Sequence, residues 1–286
     1  MWCGLWELDG SGVEFGGYSA MGLLDGERLC LFSDRGTLLT MPRPDLDPDA
    51  ARQASMQRLQ PTGIPVDQLF DIVSVTYDHA ADLFWVGCEF RHTIYRYAGD
   101  GVPDGYLELP FARNWSKNGG VEAMARLDNG HFLLLRETGS EGYLIQGDPV
   151  VGARYRRFRA RYPEGYSPTD MAQLPDGRVL IVLRRVVLAN PVFEAMIAVA
   201  DPGELGVEEE WPVTPILQLE ELVPRENWEA IAIEPRDDGA VTVWLASDDN
   251  RSILQRSLLA KLRFEPDSPS QEDRHEKGRR AEAPAP

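Results

Sequence analysis

Residues Asn118–Glu137 read NGGVEAMARLDNGHFLLLRE, two apolar runs folded around an Asp-Asn-Gly turn, with Glu122 near the start of the first run and Glu137 at the end of the second. Short polar turns with Asn, Asp and Gly between apolar runs signal a β-hairpin, because these residues tolerate the positive φ of a tight turn. Carboxylates at both open ends of one hairpin are not explained by a turn alone.

The pattern recurs along the chain. GGYSAMGLLDGERLCLFSD (Gly16–Asp34), DIVSVTYDHAADLFWVGCE (Asp71–Glu89), YSPTDMAQLPDGRVLIVLR (Tyr166–Arg184) and NWEAIAIEPRDDGAVTVWLASD (Asn227–Asp248) each run from a polar or small opening, through apolar residues and a polar turn, to a β-rich run with a polar stop. Aligning the five openings on Ser19, Val73, Glu122, Thr169 and Glu229 gives a period of about 50 residues, with a last step of about 60. That period is the mark of a propeller or a solenoid. Third strands are supplied by GTLLTM from Gly36, TIYRYAG from Thr93, GYLIQG from Gly142, AMIAVAD from Ala195 and LLAKLRF from Leu258. Fourth, more polar outer strands follow in four units, at Ser55, Gly105, Ala153 and Pro215.

The fifth unit has no fourth strand, because a charged Pro- and Ala-containing segment follows at once. LWELDG near the N-terminus can fill the gap, closing the ring and removing its open edges. The expectation is an all-β propeller of five blades over residues 1–266, with a disordered tail at 267–286. Six blades would require the longer step to hide a degenerate blade. A β-sandwich with coincidental Asp-Gly hairpins is the competing fold, and five copies in one register argue against it.

The formal net charge of -17 disfavours nucleic acid and anionic membranes, which are held mainly by Lys and Arg. No apolar run reaches the length of a membrane helix. MWCGLWELDG shows neither a basic leader nor a long apolar core, so no secretory signal is visible. Cys3, Cys30 and Cys88 suggest neither a disulfide framework nor a zinc site. A monomer is expected.

In an antiparallel hairpin, the first residue of one strand and the last of its partner lie at the same end. Two concentric sets of residues should therefore surround one channel mouth. The inner set is Ser19, Val73, Glu122, Thr169 and Glu229. The outer set is Asp34, Glu89, Glu137, Arg184 and Asp248, with Asp170, Arg185, Asp249 and Asn250 beside it and Asn118 at the entry to the third unit. Converging carboxylates repel one another unless a cation or an Arg compensates. Oxygen ligands without clustered Cys or His favour a hard ion such as Ca²⁺ or Mg²⁺. A solvated polar rim with no chemistry is the plain alternative.

GGYSAMGLLDGERLCLFSDRG, FWVGCEFRHTIYRY, NWSKNGGVEAMARLDNGHFLLLRE, GYSPTDMAQLPDGRVLIVLRR and the ending LASDDNRSILQRSLLAKLRF resemble the phytase-like family called esterase-like activity of phytase, over nearly all of Trp6–Phe264. The resemblance implies a β-propeller, phosphoester or ester hydrolysis on a small anionic or ester substrate, and a periplasmic or exported location. A D-x-E-S pattern is expected of relatives where this chain has DIVS, so Val73 stands where the family carries an inner acid. On this reading Glu89, Glu122, Glu229 and Asp248 hold a divalent cation, calcium foremost. Arg184 orients the anionic group, Asp170 stands beside it as a further catalytic candidate, and no organic cofactor is needed. A non-catalytic propeller that binds a ligand or protein at the same mouth is the alternative.

GYSAMG around Ser19 lacks the second glycine and strand-to-helix context of a serine nucleophile elbow. KNGG at Lys117 is too short for a phosphate-cradling loop, and its glycines more simply let the chain turn.

Overall fold

A computed structural model describes residues 2–266, of 2 and 3 the backbone alone, apart from 11, 13, 48, 50–52, 61–70, 118, 153, 189–191, 207–209 and 253. Asn118 and the tail 267–286 lie outside the described residues.

The second strand of each unit decides the architecture. LFWVGC, FLLLR, VLIVLRRV and VTVWLAS are apolar at nearly every position, whereas a strand with one wet face would alternate. Each must therefore be covered on both faces, as it is when a sheet is sandwiched between two others. In the first unit Leu29 and Leu31 pack toward Trp244 and Leu259, while Cys30 and Phe32 pack toward Phe84 and Val86. Leu133 and Leu135 face Ile181 and Leu183, and Phe132 and Leu134 face Trp85 and Ile94. Leu180 and Val182 close the remaining interface against Val243 and Leu245. The core is thus a ring of inter-blade layers.

Five sheets make that ring, a five-bladed β-propeller. From the channel outward the first blade is Tyr18–Leu23, Arg28–Ser33, Thr37–Pro42 and Ser55–Arg58. The second is Ile72–Asp78, Leu83–Cys88, Thr93–Ala98 and Pro103–Glu108, and the third is Val121–Arg126, Phe132–Arg136, Glu141–Gln146 and Arg154–Arg161. The fourth is Ser167–Gln173, Val179–Val186, Phe193–Ala200 and Thr214–Gln218. Trp228–Pro235, Val241–Ser247 and Leu258–Phe264 form the fifth, completed by the N-terminal strand Trp2–Glu7, with Leu5 opposite Ala260 and Glu7 opposite Leu258.

The longer step hides no sixth blade. Its residues extend the hairpin of the fourth blade and send the short strand Trp211–Pro212 back to pair, in parallel, with Ala160 and Arg161 of the third. Among the described residues no helix is long and apolar enough to cross a membrane. Cys30 and Cys88 are free, buried thiols.

Candidate functional site

Every inner strand carries a β-bulge in the same place. Pairing with the second strand slips by one residue after Tyr18, Ile72, Val121, Pro168 and Trp228. The extra residues are Ser19, Val73, Glu122, Thr169 and Glu229, the five on which the repeat aligns. A bulge re-aims side chains and ends regular pairing, and such features gather at barrel rims and sites. The second-strand ends lie at the same level: Asp34 N donates to Gly17 O (2.9 Å), Glu89 N to Asp71 O (2.9 Å), Glu137 N to Gly120 O (3.4 Å) and Asp248 N to Asn227 O (2.9 Å). In the fourth blade Arg184 is opposite Ser167. The Asp- and Gly-rich hairpin turns are at the other end of these strands.

Within that mouth the residues separate by role. Ser19 and Thr169 turn sideways: the Ser19 hydroxyl donates to Ile72 O of the next blade (2.5 Å), and Thr169 donates to Trp228 O (3.3 Å). Ser74 does the same toward Val121 O (3.0 Å). These hydroxyls staple neighbouring blades, and Val73 is buried beside them.

Glu89 and Glu122 meet on the boundary of the second and third blades. Glu89 Oε1 accepts the amides of Gly119 and Gly120, each at 2.7 Å. A Cβ on Gly120 would lie 2.9 Å from Glu89 Cγ and 3.1 Å from its Cα, so glycine is what lets the chain come this close. Gly119 and Gly120 thus grip a carboxylate of the protein itself. One oxygen each from Glu89, Glu122 and Glu137 lie within 4.8 Å of one another.

Of the ligand set expected from the sequence, Glu89 and Glu122 come together here. Glu137 joins Glu89 and Glu122, while Glu229 is held by Arg184 Nη1 and by Asn227 Nδ2 (2.8 Å). Arg184 also donates to Asn227 Oδ1 (2.6 Å) and lies 3.7 Å from Glu137 Oε1. Asp248 sits across the mouth in the SDDN loop, accepting the Asn250 amide at 2.8 Å. Asp249 accepts the amides of Gly17 (3.2 Å) and Arg251 (2.8 Å) and the Ser257 hydroxyl (2.9 Å), sealing the last blade to the first. Asn250 and Arg251 adopt positive φ to make that loop, and the Asn250 side chain reaches Gln255 (2.8 Å).

Asp170 lies on the seam between the fourth and fifth blades. It is 0 % exposed, and its two oxygens accept the amides of Met171 (2.8 Å) and Ile231 (2.9 Å), tying the fourth blade to the fifth. No face of it is left for a substrate. His92, on the loop after Glu89, packs edge-on against Trp115. Arg185 points away to Glu194 (2.5 Å).

Two mouth residues were not singled out from the sequence, Asp71 and Asn227. Both stand two positions before the aligned residue, in the column Gly17, Asp71, Gly120, Ser167 and Asn227. Asp71 restores an acid to the blade whose aligned position is Val73. Burial, with Glu89, Asp34 and Glu229 nearby, raises its pKa to about 6. Burial also raises Asp248, to about 8, with Glu229 adding to it and the Asn250 amide opposing. Glu122 is driven well up by burial, by its hydrogen bond to Glu89 and by the charges of Glu89, Glu137 and Glu229. Glu137 rises by burial against the pull of Arg184, and Asp34 by burial against that of Arg251.

These shifts set a pH dependence. Carboxyls raised in the fold bind more protons folded than unfolded between their ordinary value near 4 and about 8, so stability falls as pH rises through that window. His92, lowered by burial, acts oppositely as a single group. The melting temperature without divalent cations is expected to drop from pH 5 to pH 8, and a rise or a flat profile by calorimetry would contradict this electrostatic picture.

The sequence matches the family described as Phytase-like, esterase-like activity of phytase, over residues 13–251. No curated protein matches it. Among solved structures it is similar to YCF48 bound to D1 peptide, at 13% identity and TM-score 0.44, covering 88% of this chain and 68% of that one. Similarity to hydrazine synthase of Kuenenia stuttgartiensis stands at 11% and 0.43, covering 82% of this chain and 57% of that one. The extracellular domain of the putative hybrid two component system BT4673 from B. thetaiotaomicron gives 17% and 0.41, covering 84% and 26%.

Proposed function

The chain belongs to the phytase-like family described as esterase-like activity of phytase, and from that premise we propose a metal-assisted phosphoesterase or esterase working at the acidic mouth of the propeller. The observation that carries this reading is the convergence of Glu89, Glu122 and Glu137 within 4.8 Å. Three carboxyls so close, one of them pushed well up in pKa by its surroundings, form a donor set whose repulsion a hard divalent cation would relieve.

Glu89, Glu122 and Glu137 would hold the ion, with calcium the first candidate, and the two glycine amides keep Glu89 aimed at it. When bound, such an ion supplies Lewis-acid polarisation and lowers the pKa of a water. Arg184, which Glu229 and Asn227 hold in place, would orient an anionic group of the substrate. Asp71 and Asp248, with pKa values of about 6 and about 8, can take up or give a proton near neutral pH.

A screen of phosphomonoesters and p-nitrophenyl esters, with calcium and with a chelator, tests the reading. Turnover that needs calcium and falls at least about tenfold in Arg184→Met is the expected result, equivalent to a loss of about 1.4 kcal/mol in the transition state. Calcium-independent turnover or an unaffected variant would sink the proposal. A non-catalytic ligand-binding propeller is the second reading, favoured by the engagement of Arg184 with Glu229, Asn227 and Glu137. Calcium stabilisation without any turnover would select it.

A further inference from the structure

The loops that leave the mouth acids carry exposed apolar side chains. Phe90 follows Glu89, Val186 and Leu188 follow Arg184, and Leu254 lies in the loop after Asp248; all are exposed, and Leu188, Leu254 and Val186 are the most exposed of the large apolar residues described. The fourth blade is the most developed case. Its second and third strands, Val179–Val186 and Phe193–Ala200, have eight residues each and pair to their ends at Val186 and Phe193. Val187 N then donates to Val192 O (2.7 Å), extending the hairpin outward. At a strand rise of about 3.3 Å per residue, Val186 stands about 7 Å farther out than Arg184, and Leu188 beyond that.

The base of this arm is fixed to the acidic mouth. The Arg184 guanidinium lies over the Phe193 ring (5.1 Å) while it binds Glu229. Glu194 joins Arg185 (2.5 Å) and Arg225 (2.6 Å), and Arg185 also stacks over Tyr166 (4.8 Å). A braced arm carrying exposed Val186 and Leu188, rising from a charged funnel, presents two chemistries in sequence to one molecule. An extended anionic membrane would set its many charges against the net charge of -17, and a second copy docked on this end would set two acidic mouths face to face, whereas a single head group beside Arg184 or a bound cation brings only its own charge.

Resting on the reading of the mouth as a ligand site, we infer that its ligand is an amphiphile, whose polar head enters the funnel and whose apolar arm lies along Val186 and Leu188, which share with Arg184 one face of the fourth blade. Burying an alkyl arm there adds affinity with each methylene that reaches the rim, by about fourfold when burial is complete. The polar funnel alone would be indifferent to arm length.

The test is calorimetric titration with ethyl-, butyl- and octylphosphonate, with and without calcium, on the wild-type protein and on the double variant Val186→Asp, Leu188→Asp. Both side chains are exposed, so the variant should melt with the wild type, which controls for folding. The expected result is affinity that climbs with chain length in the wild type and stays level in the variant. Equal affinity along the series, the same climb in the variant, or no binding of any phosphonate overturns the inference. Failure of the catalytic reading would look different: p-nitrophenyl octanoate left uncleaved, with the chain-length dependence of phosphonate binding intact.

Discussion

Deleting Trp2–Glu7 is expected to abolish cooperative unfolding. The strand is the outer member of the fifth blade, paired with Leu258–Phe264 from Glu7 to Trp2, and without it that blade would expose an unprotected edge. The loss goes beyond main-chain pairing. Trp6 stacks on Trp244 (5.8 Å between ring centres), a fully buried side chain in the layer that joins the fifth blade to the first. Replacing Trp6 alone by Ala should cost about 2–3 kcal/mol, less than for a fully buried Trp because the ring is only partly covered. Deletion of the whole strand removes that and the ladder together, comparable with the ~5–15 kcal/mol net stability of a typical domain. A truncated protein that melts cooperatively within a few degrees of the intact one would show that the ring is closed by something other than this strand.

Asp170→Ala is expected to destabilise the protein by about 2–4 kcal/mol while leaving calcium affinity unchanged. Both effects follow from its position. The carboxyl satisfies the amides of Met171 and Ile231 inside the fourth and fifth blades, and alanine would leave two buried donors without an acceptor, each costing about 1–2 kcal/mol. Because its oxygens face neighbouring main chain, no ion or substrate at the mouth would sense its loss. Denaturant titration with a parallel calcium titration separates the roles. Normal stability with lost calcium response would return Asp170 to the site.

The fold was readable because its cause is local. Polar turns fixed the hairpins, a repeat of about 50 residues set the blades, and a fifth unit lacking an outer strand pointed to LWELDG near the N-terminus. The level of the acids also followed from hairpin geometry. Which acids meet did not, since that depends on where each bulge sends its side chain. One residue inserted at Thr169 returns the next, Asp170, to the inter-blade face, although the two are adjacent in sequence. Glu229 occupies the same repeat position as Glu122 yet is captured by Arg184, whose long side chain reaches it from the neighbouring blade. Asp71 stands two residues before the aligned Val73, in a column that carries no acid in the other four units, so the repeat alone does not mark it. The arm of the fourth blade appeared in the sequence only as extra length in the last repeat step.

The most direct test of the account is a calcium titration of the melting temperature for the wild-type protein and Glu122→Gln. Glu122 is surrounded by acids and held well up in pKa, so the neutral amide should fit the cation-free protein as well as the carboxyl or better. The expected result is that the wild type rises in melting temperature with calcium, as binding to the folded state requires. Glu122→Gln should melt at or above the wild type without calcium and need at least about ten times more of the ion for the same rise, a loss of about 1.4 kcal/mol. A wild type indifferent to calcium, or a variant with the same calcium response, would contradict a cation site at Glu89, Glu122 and Glu137.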